Sequence, residues 1–323
     1  MSPAVSVVIP TCGRPQLLQR CLAALMQQSL AAGEYEIIVV DDGACAQTEA
    51  LVRRLGSDPD SPALTYTQAQ GTRGPAGARN RGWRLAHADV IAFTDDDTVP
   101  AHNWLAHGLR ALQPDLAAVT GRITVPVSPH PTDFDLVTKG LEQAEFVTAN
   151  AFVRREVLTL LGGFDERFTR AWREDSDLQF RMLRAGQSIG WAPDALVVHP
   201  VRPAPWAISL RQQRNMFFDA LLYKKHPQLY CLKMRRMAPL RYYLIVLASV
   251  AAIVAWAQGS EAWAATLLGS ALALSLHFAW QRLRRTSRAP RHVLEMVLTS
   301  LVIPYLAIFW RLAGAWRFRV LFW

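Results

Sequence analysis

Three consecutive carboxylates, Asp95-Asp96-Asp97, follow directly on the apolar run Val90–Phe93. Carboxylates at i and i+2, fixed at the end of a buried strand, can supply oxygen ligands to a hard divalent cation, Mn2+ or Mg2+. Such a cation bridges a diphosphate and neutralises charge on its leaving group. An acidic triplet is equally the composition of a plain turn. A second acidic group, Glu174-Asp175 with Asp177, opens a helical pattern over Glu174–Ala185. Acids in a first turn are favoured by the helix dipole, which would explain them without chemistry. A third pair, Asp41-Asp42, ends the run Ile37–Val40, where capping of the next helix is the bland reading. His199 stands between Val198 and Pro200, where an imidazole either completes a metal shell or serves the fold.

These groups need elements to hold them, and the first 200 residues alternate β-branched runs with helical patterns, the signature of an α/β domain with a largely parallel sheet. Strands are expected at Val5–Ile9, Ile37–Val40, Leu64–Thr67, Val90–Phe93, Ala117–Val125, Phe146–Val153, Ser188–Trp191 and Leu196–Val198. Helices are expected at Gln16–Gln28, Glu49–Leu55, Gly77–Ala86, Arg155–Leu161 and Glu174–Ala185, with a Pro/His-rich loop running to Pro131. Polar groups thus recur at strand C-termini, where open α/β sheets place their ligand crevice.

Charge divides the chain. Residues 1–201 carry 18 Lys/Arg against 23 Asp/Glu, whereas residues 202–323 carry 17 against only Asp219, Glu261 and Glu295. The basic excess brackets apolar runs instead of forming a solvated arm, which points to an anionic membrane surface and not to nucleic acid. Residues 202–241 read as a basic amphipathic interface segment: one helix apolar on one side and cationic on the other, with packing on the domain as the alternative. Tyr242–Gln258 is uncharged for 17 residues and Ala262–Trp280 for 19, separated by Gly259-Ser260-Glu261. Each approaches the length that crosses a hydrocarbon core, so residues 242–280 are expected to form a transmembrane hairpin. Lys233, Arg235, Arg236 and Arg241 precede it and Arg282, Arg284, Arg285, Arg288 and Arg291 follow, which puts both ends in the cytoplasm. Residues 281–323 then hold a basic loop and a third helix, spanning or interfacial, in which Glu295 and Pro304 interrupt the apolar run. Cys12, Cys21, Cys45 and Cys231 show no metal or disulfide spacing and are expected as reduced thiols, and MSPAVSVVIP has no signal-peptide pattern.

Five segments in order give these pieces a family. VSVVIPTCGRPQLLQRCLAAL, YEIIVVDDGA, GPAGARNRGW, VIAFTDDDTVP and TANAFVRREVLTLLGGFDERFTRAWREDSDLQFRMLRAG resemble the motifs of family 2 glycosyltransferases, whose nucleotide-sugar-binding fold is called GT-A. The resemblance covers most of residues 5–200 and makes residues 1–201 a GT-A catalytic domain with a Rossmann-like mixed sheet. It implies that Pro10, Thr11 and Arg14 lie beside the nucleoside, and that Asp42, or Asp41, accepts hydrogen bonds from base or ribose. It implies further that Arg79 points to the base or phosphates, that Asp96 belongs to the nucleotide-sugar site, and that Asp95 and Asp97 hold the metal with His199. Asp175 becomes the base that takes the acceptor hydroxyl's proton, with Glu174 as second candidate, in an inverting displacement. Arg211-Gln212-Gln213-Arg214 falls where processive relatives carry a Gln-rich motif ending Arg-Trp, but Asn215 follows here. Arg214 is therefore expected either on the donor phosphates or at the membrane interface, and processive synthesis is disfavoured.

The sequence thus points to single sugar transfer from a nucleotide diphosphate sugar to a lipid-linked or membrane-presented hydroxyl, at the cytoplasmic face of the inner membrane. A polyprenyl-phosphate acceptor and a non-catalytic nucleotide-sugar-binding membrane protein are the competing readings. Oligomeric state leaves no mark on the sequence.

Overall fold

A computed structural model describes residues 2–234 and 239–322. Arg235 and Arg236, counted above in the basic flank, lie outside the described residues. The chain divides into two compact units, Met1–Pro126 with Lys139–Arg202, and Val127–Thr138 with Pro203–Trp323.

In the first unit, β1 (Val5–Thr11) lies between β2 (Tyr35–Asp41) and β4 (Val90–Thr94), with β3 (Ala63–Gln68) outside β2, all parallel. β1 is buried at every position, which is why it is largely apolar without alternation, its buried Ser6 satisfied by Glu36. Its side chains alternate between two cores. Val7 and Ile9 join Leu18, Leu22 and Leu25 of α1 (Pro15–Leu25), while Val8 meets Ala78 and Trp83 of α3 (Pro75–Leu85) on the other face. The helix α2 (Ala46–Leu55) completes the second crossover.

Beyond β4 the parallel pattern stops. The eight-stranded sheet runs β3-β2-β1-β4-β7-β6-β8-β5. Here β7 (Asn150–Arg154) is antiparallel to β4 and to β6 (Ala118–Thr124), β8 (Ile189–Val198) is parallel to β6, and β5 (Val99–Pro100) is antiparallel to β8. The sheet is therefore mixed, as the family resemblance implies, and less parallel than the alternation of strands and helices alone suggests. Two expected strands, 188–191 and 196–198, are one: β8 runs through Pro193 with a register shift opposite Gly121/Arg122. The expected strand from Phe146 begins only at Asn150, and the residues before it form the turn that carries Thr148. The short helix α4 (Trp104–Ala111) was not legible in the sequence; it seats Gly108 against the ring of Phe152, where a Cβ would come to 2.1 Å. α6 (Arg155–Leu161) and α7 (Glu174–Arg184) match their expected positions.

The second unit corrects two expectations. Residues 127–138, expected within the α/β domain with a loop running to Pro131, fall in this unit, with α5 (Asp133–Lys139) starting inside them. Asp133 pairs with Arg282 at 2.7 Å, and the Ser287 N–H donates to Pro131 O at 2.8 Å. The basic segment after residue 202 is not one helix: it breaks into α8 (Ile208–Gln212), a 3-10 turn over Gln213–Asn215, α9 (Met216–Lys225) and α10 (Pro227–Lys233). Pro227, which has no N–H to donate, sits at a helix start and forces the last break. α9 buries Phe218, Ala220, Leu221 and Leu222 within the unit, so its apolar side is already used.

Three longer helices follow: α11 (Leu240–Ala257), α12 (Glu261–Leu283) and α13 (Pro290–Phe318), each long and apolar enough to cross a membrane. Only 11% and 17% of the apolar windows of α11 and α12 are buried. So much uncovered apolar helix surface marks a membrane-associated unit.

Candidate active site

The site is assembled where β1 and β4 end and where β7 and α7 begin. Arg79, on α3, is its electrostatic centre. Only 2% exposed, its guanidinium donates to Asp95 Oδ1 at 2.8 Å through Nη2 and to Glu174 Oε1 at 3.0 Å through Nη1. Asp175 Oδ1 lies 3.9 Å from the same Nη1, and the ring of Phe164 underlies the guanidinium with its centroid at 5.8 Å. One cation thus gathers carboxylates from the acidic triplet and from the first turn of α7. The loop leading to α7 is tied to α3 through Asn80, which donates to Phe164 O and Glu166 Oε1 and accepts from the Phe164 N–H.

Asp175 is held by two donors from Thr148, its hydroxyl at 2.7 Å and its N–H at 3.2 Å. Its side chain is 19% exposed, against 3% for Glu174. Burial, then repulsion from Asp175, lifts the Glu174 carboxyl to about 8, with Arg79 pulling the other way. Burial also raises Asp175, against the pull of Arg79 and Thr148. At Asp95 the result reverses: burial would raise it, but Arg79, His199 and Arg14 together hold it below the usual range.

On the other side of the triplet, Asp97 Oδ2 pairs with Arg202 Nε at 2.9 Å, leaving Oδ1 3.6 Å from His199 Nε2. Ligand atoms of Asp95, Asp97 and His199 all lie within 4.8 Å of one another, the one such His/Cys/Asp/Glu group among the described residues. His199 is 7% exposed and its Nδ1 is buried without a hydrogen-bond partner. Two carboxylates and an imidazole converging in this way fit a divalent cation.

The nucleotide-side candidates fall into two groups. Asp96 is fully buried, accepting from Thr11 Oγ1 at 2.7 Å and pairing with Arg14 at 3.1 Å, so it reaches a ligand only through those neighbours. Burial lifts its carboxyl to about 6 despite Arg14 and Thr11. Pro10 is buried within β1. Asp41 is spent on the N–H groups of Gly43 and Cys45 and on Tyr66 Oη. Asp42 accepts from the N–H of Gly74 at 2.8 Å, in a loop where Gly74 has φ +86° and a Cβ would strike Thr169 O. Arg214 belongs to the second unit, where its guanidinium lies 5.5 Å from the Trp310 ring centroid. Sequence reasoning missed Thr148 and Arg202. Thr148 lay inside a quoted motif with nothing to single it out, and Arg202 was counted only as bulk basic charge.

The sequence family described as glycosyl transferase family group 2 matches residues 90–316, and glycosyl transferase family 2 matches residues 6–158. The chain is a family 2 glycosyltransferase. It is 28% identical over 212 residues to Glycosyltransferase AglE of Haloferax volcanii, a match covering 62% of this chain and 68% of the relative. It is 31% identical over 214 residues to the pre-mycofactocin glycosyltransferase of Mycobacterium tuberculosis, covering 61% of this chain but 43% of that protein. The chain thus spans less than half the length of the second relative. Among solved structures, the mannosyltransferase PcManGT from Pyrobaculum calidifontis, in complex with GDP-Man and Mn2+, superposes with a TM-score of 0.60 at 23% identity, covering 96% of this chain and 88% of that one. That likeness gives this glycosyltransferase its fold, GT-A followed by C-terminal helices.

Proposed function

We propose that this glycosyltransferase moves a single sugar from a nucleotide diphosphate donor to a hydroxyl on a lipid-linked or membrane-presented acceptor, with inversion and with a divalent cation. The carrying observation is the convergence of Asp95, Asp97 and His199 within 4.8 Å, beside an Arg79 that also holds Glu174. Asp95, Asp97 and His199 would hold a divalent cation, which when bound would supply charge stabilisation to a departing nucleotide diphosphate. The GDP-Man and Mn2+ bound by PcManGT support both the donor class and the metal.

Arg79 and Arg202 hold the triplet carboxylates in place before donor arrives, so little reorganisation is needed at the moment of transfer. Asp175 is the base. It is the more exposed of the two α7 carboxylates, and the paired Thr148 donors fix its orientation while it receives the acceptor proton. Glu174, almost sealed, orients Arg79. The exposed apolar helices support an acceptor delivered at the membrane, and the basic flanks of α11 and α12 support a cytoplasmic catalytic side.

The test is a thermal-shift screen of purified protein against nucleotide sugars with and without Mn2+. A binding donor at 100 times its Kd adds about 2.7 kcal/mol, which for a protein of this size is a rise of several degrees, on the order of 2–4 °C per kcal/mol. The shift is expected only when metal and donor are together. Equal shifts in EDTA, or transfer undiminished by chelator, would overturn the metal reading.

A further inference from the structure

By length and composition α13 resembles a third membrane span. What packs along it says otherwise. The stretch 207–225 follows α13 from its beginning to its end. The Ala207 N–H donates to Glu295 near the start of α13, Arg214 lies over Trp310, the Phe217 carbonyl sits where a Cβ on Gly314 would come to 2.4 Å, and Lys224 Nζ donates to Phe318 O at the last turn. If α13 crossed the bilayer, this companion stretch would cross with it. It carries Arg211, Arg214 and Lys224 on exposed positions, and its helices α8 and α9 are broken by the 3-10 turn. Exposed cations at acyl-chain depth and an interrupted lipid-facing backbone are both strongly disfavoured.

The opposite face of α13 has the complementary character. Between Leu294 and Trp316 every exposed residue is apolar or aromatic: Leu294, Leu298, Val302, Tyr305, Phe309, Leu312 and Trp316. Spaced by three and four, they form one continuous stripe. The polar residues His292, Thr299, Ser300 and Arg311 are all buried inside the unit. The hairpin lies on the stripe's side, since Ser249 on α11 hydrogen-bonds Tyr305 Oη at 2.7 Å. Its far end, with Ile253, Trp256, Trp263 and Leu268, is uncovered.

From this geometry we infer that α13 does not span the membrane but lies in its plane, pressing the Leu294–Trp316 stripe into the acyl boundary while the cationic 207–225 stretch covers its water side. The lipid bilayer is the occupant of the stripe. Continuity with the exposed hairpin and the cations Arg211, Arg214 and Lys224, placed to meet anionic headgroups, argue for lipid over a second copy of the chain. The inference rests on the membrane attachment proposed above.

Single cysteines in a cysteine-free background test it, in membrane vesicles of known sidedness with an impermeant thiol reagent. Ala289→Cys before α13, Leu321→Cys after it, and Ser57→Cys in the catalytic unit are all exposed positions. All three are expected to react from the same face, and Ser260→Cys in the hairpin turn from the other. Leu321→Cys reacting with Ser260→Cys would make α13 a span and overturn the inference. Ser260→Cys on the catalytic side would instead refute the hairpin, leaving the comparison of Ala289 with Leu321 intact. Spin labels at Leu294, Val302, Phe309 and Trp316 give a second reading. Equal immersion along the helix is expected; a deep centre with shallow ends would overturn the plane, and disulfide cross-linking at Phe309→Cys with shielding from lipid would assign the stripe to a second copy.

Discussion

Arg79 faces more negative charge than it can neutralise: Asp95 and Glu174 are hydrogen-bonded to it and Asp175 is close by. Burial first, and then the repulsion from Asp175 that this imbalance leaves, explains why one carboxyl of the set, Glu174, is raised to about 8. The folded state then binds a proton that the unfolded chain, with a glutamate near 4.3, releases far earlier. Stability from this group is full below about pH 4.3 and declines as pH rises through about 8. Melting temperature of the ligand-free protein should therefore fall across that window, and Glu174→Gln should flatten the fall; an unchanged slope would remove Glu174 as its source. Asp175→Asn tests the base. It preserves size but cannot take the proton, so kcat should drop by about 10²–10⁴-fold with donor affinity nearly constant. If Glu174→Gln abolishes turnover while Asp175→Asn remains active, the two assignments exchange. Asp97→Asn, which weakens one ligand and unbalances Arg202, should raise the Mn2+ concentration needed for donor binding, read in the same thermal-shift assay.

Elements hold these side chains through close approaches that sequence patterns do not show. α4 lies against the sheet only because Gly108 leaves room for the Phe152 ring, which also packs on Trp104 with centroids 5.0 Å apart. Gly108→Ala should overpack this contact and cost about 1–3 kcal/mol, measurable as a lower melting temperature. Because β7 carries Phe152 and begins two residues after Thr148, the same variant should slow turnover more than it weakens donor binding. Unchanged kcat in a destabilised Gly108→Ala would show that the Thr148 turn is held independently of α4.

Across the whole molecule, the split of charge follows the split into units: acids collect in the catalytic unit, and Lys/Arg dominate the helical one. Electrostatic attraction alone would be screened at high salt. With α11 and α12 carrying large uncovered apolar surfaces, 1 M salt should leave the full chain on membranes and detergent should release it. Release by salt alone would mean that the long helices are covered by protein and not by lipid.

The sequence by itself determined what is local. Apolar runs marked β1, β2 and β4, and those of β2 and β4 lead straight into carboxylates, because a buried parallel strand is written continuously in the chain. The lengths of the uncharged runs fixed α11 and α12 for the same reason. The five motifs gave the family. Only the tertiary structure decided that β7 reverses the sheet, that residues 127–138 belong with the helical unit, that Asp41 and Asp96 are hydrogen-bonded within the protein, and that Thr148 and Arg202 stand beside the candidate carboxylates. Each of these depends on contacts between residues distant in sequence: Thr148 meets Asp175, Arg202 meets Asp97, and Asp133 meets Arg282. No periodicity encodes such meetings, since they arise when separate elements pack and their polar groups must find partners away from water.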